Sequence, residues 1–333
     1  MKRLVTFIIT LLFAVSMTAC SGGTTASNTS ASTEKQDKKD QLYIHVELAG
    51  NLDYMYDHKL GTSEAEKDFG IKTQYVGPAE YDVNAMVAAL DQAIAQKPNG
   101  IVLMGVDDSL KVGIKKAMDA GIPVVTVDAD LPDSGRIAFV GTGNLAAGKL
   151  GGEELATLVG GKGQVAIMTK PGQPNLDERV EGYKQALAKY PDIELVQIAN
   201  TNADPVVAAQ AAAAILQKYP DIAGIGCVES AGGSGAATAV SEAKKQGKVK
   251  IVSMDRSNDI IQSIEDGVIT ATIAQQTALM SYYAIQILYN LNNSNVGITT
   301  DNKQAGISGT PVSVDTGCVV VDKNNAKYFL RTK

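Results

Sequence analysis

From Tyr43 onward, short continuous apolar runs alternate with longer stretches in which apolar residues return every three or four positions. The first kind has the length of a buried strand, the second the period of an amphipathic helix. Tyr43–Leu48 reads as a strand, and the helix after it runs to Phe69, where Gly70 stops it. Lys72–Val76 is a second strand. Val83, Met86, Val87, Leu90 and Ile94 then mark a helix over Val83–Ala95. Ile101–Val106 is a nearly all-apolar strand, a helix runs from Ser109 to Gly121, and Pro123–Val127 and Arg136–Gly141 are two more strands.

The alternation then repeats. Helices are expected over Leu145–Val159, Asp177–Tyr190, Val206–Tyr219, Gly235–Lys245, Ile260–Glu265 and Ala278–Leu291. Strands fall between them at Val165–Met168, Leu195–Ile198, Gly224–Val228, Ile251–Met254 and Ile269–Ala274. Strands that are apolar throughout, separated by helices, build parallel sheets covered on both faces. The two halves also look alike. Ile122–Asp128 (IPVVTVD) parallels Val249–Asp255 (VKIVSMD), each a buried strand ending in Asp, and Lys97-Pro98-Asn99-Gly100 and Tyr219-Pro220-Asp221 lead into strands one unit earlier. Residues 41–333 are too many for one typical domain. The expected fold is α/β: two similar doubly wound parallel-sheet lobes.

The first 40 residues break this pattern. Lys2 and Arg3 precede an apolar run, Leu4–Val15, and then small residues lead to Cys20. This is the layout of a secretory signal, and the run is shorter than the roughly 20 residues a spanning helix needs. Met17-Thr18-Ala19-Cys20 resembles a bacterial lipobox, in which the cysteine is acylated; the alternative is an ordinary cut near Ala19. One lipid anchor at Cys20 would tether the protein to the outer face of the cell membrane without embedding it. Ser21–Asp40 has no apolar residue larger than Ala. It reads as a flexible spacer.

The formal net charge of −6 gives no basic footprint for nucleic acid. Beyond Cys20 the only cysteines are Cys227 and Cys318, both in apolar runs; free buried thiols are expected, with a disulfide still possible outside the cytoplasm. His45 and His58 are the only histidines. His45 lies inside a strand without a metal-spaced partner, which favours a structural role. No metal or cofactor is expected.

Ligands of open parallel sheets bind outside the carboxyl ends of the strands. The residues there are Asn51, Tyr54, Asp107, Asp128 and Thr142 in the first half, and Asn175, Asp177, Asn202, Glu229, Ser230, Asp255 and Gln275 in the second. Carboxylates accept charge-assisted bonds from adjacent hydroxyls, and amides donate and accept as a hydroxyl does. Tyr54 or Tyr56 would cover an apolar sugar face. Helix capping is the competing role for any one of these, favoured at Asp107 and Asn175.

The chain resembles the ribose-binding-protein family of extracytoplasmic sugar receptors (type I periplasmic binding proteins), which serve ABC importers. The segments that carry the resemblance are Gly121–Asp128, Phe139–Asn144, Arg179–Tyr183, Val252–Asp255 and Ala271–Gln275. It implies two lobes joined by a three-segment hinge that close on a small sugar or polyol. It places the ligand aspartates on Asp128 and Asp255, the hinge-side glutamine on Gln275, and a contacting residue near Thr142. Asp177 stands where the family has a contacting Arg, two residues before Arg179. A second-lobe Asn falls on Glu229 or Ser230. The family's Asn-Pro-aromatic-aromatic segment is only partly kept, as Asn51-Leu52-Asp53-Tyr54-Met55. These departures argue against D-ribose itself. The ligand-binding set implied is Asn51, Tyr54, Asp128, Thr142, Asp177, Arg179, Asn202, Glu229, Ser230, Asp255 and Gln275. The hinge is expected near Gly143–Asn144, Gln275–Gln276 and Ser308–Pro311, giving lobes of 41–143 plus 276–308 and 144–275 plus 309–333. The partner implied is an ABC-importer permease, or a sensor kinase in its place, served by a monomer.

Enzyme readings fare worse. Gly233-Ser234-Gly235 opens a helix with Asp255 about 20 residues on, as in a dinucleotide site, but Thr238 holds the third glycine position. There is no Gly-x-Ser-x-Gly elbow for hydrolysis. A sugar-responsive transcription regulator would need an N-terminal helix-turn-helix where the signal and spacer stand.

Overall fold

The computed structural model describes residues 37–294, 296–302 and 304–331. The expected signal, Cys20 and nearly all of the spacer lie outside these residues. The spacer's last residues do not: Lys38–Asp40 form one 3-10 turn, because Asp37 accepts from the Lys39 N–H and Asp40 pairs with Lys72 at 3.1 Å.

The first half runs β1 (Leu42–Val46), α1 (Met55–Phe69), β2 (Lys72–Val76), α2 (Val83–Ala95), β3 (Gly100–Met104), α3 (Leu110–Asp119), β4 (Val124–Val127) and β5 (Ala138–Gly141). The second runs α4 (Asn144–Leu158), β6 (Lys162–Thr169), α5 (Pro174–Leu187), β7 (Asp192–Asn200), α6 (Pro205–Lys218), β8 (Gly224–Cys227), α7 (Ser230–Glu242), β9 (Lys250–Met254), α8 (Asn258–Glu265) and β10 (Ala271–Gln275). The chain closes with α9 (Thr277–Asn293), β11 (Ser313–Asp315) and β12 (Cys318–Asp322).

Among the described residues the strands form two six-stranded sheets, ordered β11-β5-β4-β3-β1-β2 and β12-β10-β9-β8-β6-β7. The orders match strand for strand, so β4 corresponds to β9 and β5 to β10. Every pair in the first sheet is parallel, and in the second only β12 runs antiparallel, against β10. Two doubly wound α/β lobes result.

The all-apolar strands follow from this covering. Ile101 and Leu103 of β3 join the apolar cluster under α2 and α3, while Val102 between them joins the cluster under α9. In the second lobe Ile225 and Ile251 lie on one face, Val252 and Met254 on the other. Successive side chains of a strand point to opposite faces, so a sheet buried on both sides favours apolar residues at nearly every position, with small or hydrogen-bonded polar residues such as Thr126 and His45 as exceptions. Helix starts follow local chemistry. Asp82 accepts from the Ala85 N–H at the head of α2, and Asp204 caps α6 ahead of Pro205. Gly70 adopts φ 63° where α1 ends, a conformation that suits glycine.

Crossings between sheets fall at residues 142–143, at Gln276, and between Asp315 and Cys318. The third lies later than the expected 308–311. β11 pairs in parallel with β5 and so belongs to the first sheet. Its three residues carry no apolar run, which is why the hydrophobic pattern misses it. Similarly, α7 starts at Ser230 rather than Gly235, because the Glu229 carboxylate accepts from the Gly232 N–H at 3.0 Å and nucleates the helix earlier.

Candidate functional site

β4 and β9 each end by turning the next residue into the left-handed region: Asp128 has φ 64° and Asp255 φ 68°. Non-glycine residues rarely go there, although Asp tolerates it better than most, and such conformations gather at ligand clamps. The turn moves each carboxylate beyond its strand. Asp128 accepts from Tyr54 Oη at 2.6 Å through Oδ1. Asp255 accepts from Gln275 Nε2 at 2.8 Å, also through Oδ1. Each is therefore held by a residue of its own lobe. Among the described residues, the second oxygen of neither accepts a protein hydrogen bond.

Arg179 of α5 is 5% exposed. Its guanidinium donates to Asn144 Oδ1 at 2.9 Å, to the Val228 carbonyl at 3.0 Å and to Gln275 Oε1 at 3.0 Å. Fixing Oε1 leaves the Gln275 amide NH2 to face Asp255, so Arg179 orients the residue that orients the carboxylate. Glycines set the reach of this arm. A side chain at Gly148 of α4 would run into the Arg179 carbonyl, and one at Gly182 into that of Leu145. Without them α4 and α5 could not approach so closely.

The electrostatics tie the two lobes together. Burial first, then the Asp128 and Glu229 charges, push the Asp255 carboxyl above the ordinary carboxylate range, against the pull of Arg179 and the Gln275 hydrogen bond. Burial, then the charges of Asp128 and Asp255, raise the Tyr54 phenol well above its usual value. Asp128 and Asp255 thus act on each other and on Tyr54 across the junction of the lobes. Thr142, at the first crossing, is buried, and its hydroxyl has no partner among the described residues.

The other expected positions have different surroundings. Asn51 is exposed and donates to Glu80 at 2.9 Å. Asp177, in the first turn of α5, accepts from the Gly172 N–H at 3.2 Å. Asn202 sits in a left-handed turn, φ 53°, and its side chain accepts from Asn200 at 2.9 Å. Glu229 caps α7 and accepts from the Thr201 hydroxyl at 2.7 Å, while Ser230 is the first residue of that helix. Asp107 accepts from the Ser109 N–H at 2.8 Å.

His45 and His58 are buried, their rings 5.7 Å apart and edge to face. His45 Nδ1 meets Thr62 Oγ1 at 2.9 Å and His58 Nδ1 meets Ser281 Oγ at 2.8 Å. The glycines that suggested a dinucleotide loop are packing devices: a side chain at Gly233 would strike Ser253, and one at Gly235 would strike Ala208 of α6. Cys227 and Cys318 are free thiols, the first buried and the second partly so. Among the described residues no group of three ligating side chains could hold a metal ion, and no helix is long and apolar enough to cross a membrane.

Sequence reasoning missed Asn144 and Thr201, which hold Arg179 and Glu229. It also missed Asp57, buried on α1 between Arg256 and Arg331. The available signal for Asp57 was a charge on the helix face that also carries Met55, His58, Gly61, Thr62 and Ala65.

Comparison with known proteins agrees with this architecture. The family described as "Periplasmic binding protein domain" matches residues 49–295. The solved structure of AraP, an arabinose binding protein from Geobacillus stearothermophilus, superposes with a TM-score of 0.83 at 35% identity, covering 88% of this chain and 100% of that one. The D-ribose/D-allose-binding protein of Pseudomonas aeruginosa is 26% identical over 317 residues, 92% of this chain and 97% of its own. The D-apiose import binding protein of Paraburkholderia graminis is 26% identical over 248 residues, 74% of this chain and 76% of its own. The chain therefore belongs to the periplasmic binding proteins, as a ribose-binding-protein-like member of type I.

Proposed function

We propose that this protein captures a small sugar or polyol between its two lobes, outside the cytoplasm, and delivers it to an ABC-importer permease. The observation that carries the reading is the matched pair of carboxylates, Asp128 and Asp255. Each is pinned by one oxygen within its own lobe and, among the described residues, keeps the other free of protein donors. A ligand with neighbouring hydroxyls supplies the donors both oxygens lack, as charge-assisted bonds. Thr142 offers a buried hydroxyl without a partner among the described residues, which a ligand hydroxyl would satisfy. Asp128 and Asp255 each keep an oxygen for the ligand, while Arg179 spends its reach on protein acceptors and Arg256 pairs with Asp57. A neutral ligand suits this balance better than an anionic one. The relatives named for arabinose, ribose, allose and apiose support a pentose or hexose.

The protein binds without changing its ligand. The lobes close by small backbone changes at the three crossings, and the closed form gains only the ligand's differential affinity for it. Acylation of Cys20 would keep the binding lobes at the outer membrane face, within reach of the permease. Thermal unfolding in the presence of arabinose, D-ribose, D-allose, D-apiose and xylitol tests the reading, because a ligand that binds only the folded state raises its stability with concentration. A rising midpoint with at least one of them is expected. A flat response to all, with a response to an amino acid or a nucleotide instead, would replace sugar by that class.

A further inference from the structure

The end of the first lobe that lies away from the candidate site carries a feature of its own. β1, β2 and β3 begin there, at Leu42, Lys72 and Gly100, whereas Asp128 stands at the opposite end of the same parallel sheet. The last turn of α9 reaches this end too, where the Asn293 and Gln41 side-chain amides bond to each other in both directions at 2.9 Å. Residues 296–302 follow as a pinned turn. Asn302 Oδ1 accepts from the Ile298 and Thr299 N–H groups at 3.0 Å each, and its Nδ2 donates to the Val296 carbonyl at 2.7 Å. Val296 and Ile298 are 64% and 62% exposed. Single exposed apolar residues are ordinary, but here a side-chain clamp fixes the turn with both side chains in solvent. Nearby, half-buried Tyr289 of α9 stacks on Phe69 at 4.9 Å, and Lys38 Nζ lies 5.4 Å from the centre of the Tyr289 ring. Lys38, Lys39 and Lys97 are exposed at this end, beside Asp37, Asp40 and Asp301.

We propose that this end of the first lobe rests on the phospholipid membrane, with Val296 and Ile298 in the interfacial layer and the lysines at the lipid headgroups. The inference rests on the attachment at Cys20 proposed above. Seventeen residues separate Cys20 from Lys38, a length that spans at most about 60 Å. The chain enters the fold at this end, since Gln41 follows the Lys38–Asp40 turn and meets Asn293. The tether therefore keeps this end nearest its attachment, and a surface held so close needs only weak affinity of its own to stay down. Val and Ile side chains bury favourably at the boundary between headgroups and acyl chains. Tyr is enriched at that level, and lysine stems reach from it to lipid phosphates. With the tip down, the carboxyl ends of the first sheet point away from the bilayer, so Asp128 and the cleft face the solute.

The test needs neither a sugar nor a natural acyl group, so it stands apart from the proposed ligand and anchor; mass spectrometry of Cys20 tests the anchor separately. The chain from Ser21 onward, with a hexahistidine tag ahead of Ser21, is held on vesicles of phosphatidylcholine and phosphatidylglycerol that contain a nickel-chelating lipid. The protein has no Trp, so Ile298→Trp introduces a single fluorescent reporter. Val206→Trp, at a residue 64% exposed on α6 of the second lobe, is the control. Ile298→Trp is expected to shift its emission to the blue on the vesicles and to lose most of its intensity when brominated lipids are included, while Val206→Trp does neither. Val296→Trp repeats the measurement should Ile298→Trp fail to fold. Emission that does not move at either tip position, or that moves equally in the control, would overturn the proposal. A dimer of the untagged parent in solution that Val296→Ser/Ile298→Ser converts to monomer would also overturn it, by assigning the tip to a second copy of the chain.

Discussion

Asp128 and Asp255 repeat one arrangement at corresponding strand ends, with φ 64° and 68° and with Oδ1 held by Tyr54 and by Gln275 respectively. The repetition links the duplicated sheets to the site. A parallel strand that ends by turning left-handed throws its last side chain outward, and two such lobes facing each other bring two carboxylates to one junction.

Arg179 acts as a positioning residue for this junction. Replacing it with Met orphans three acceptors: Asn144 Oδ1, the Val228 carbonyl and Gln275 Oε1. Buried polar groups left unpaired cost about 1–3 kcal/mol each. Arg179→Met is expected to lose about 3 kcal/mol of stability in urea unfolding. Arg179→Met unfolding at the parent's urea midpoint would show that the guanidinium orients nothing.

Asp255 predicts a trade between stability and binding. Its folded carboxyl holds its proton to higher pH than the unfolded chain does. Between the unfolded value of about 3.9 and the raised folded value, the folded state binds more protons, so stability falls as pH rises through that window. Asp255→Asn removes the cost of the buried charge. The ligand-free variant is expected to melt above the parent at pH 7, with the gap closing toward pH 3. A variant that melts lower at pH 7 would contradict this assignment.

His45 and His58 predict the opposite slope. Burial holds His45 well below the ordinary imidazole range, with the charge of His58 adding; burial also lowers His58, against the pull of Asp128 and Asp57. The unfolded chain binds the extra protons, so the stability these residues contribute is complete above about pH 6.5 and is lost as pH falls below it. His45→Gln should show a smaller drop in melting temperature between pH 7 and pH 5 than the parent. An equal drop would place the acid-sensitive group elsewhere.

The sheets were legible because both faces of each are covered. Val124–Val127 and Ile251–Met254 are apolar apart from the buried Thr126 and Ser253 for that reason, and the Asp after each is a local, readable signal. β11 was not legible, since its pairing with β5 is set by a partner some 170 residues away and only one of its residues is even partly buried. The partners of Arg179 come from α4, the end of β8 and β10, and no spacing in the chain joins them. Arg331 meets Asp57 across 274 residues, a pairing that exists only after both lobes have folded. Asn51, Asp177 and Asn202 were placed by their position after strands, and in the structure each of them engages a residue of its own loop or a neighbouring one.

The central claim is that Asp128 and Asp255 grip one ligand from opposite lobes. Calorimetric titration of Asp128→Ala and Asp255→Ala with whichever sugar most stabilises the parent tests it directly. Hydrogen bonds to a charged group contribute about 1.5–3 kcal/mol, so each substitution should weaken binding by roughly ten- to a hundredfold. Parent-like affinity in either variant would contradict the claim.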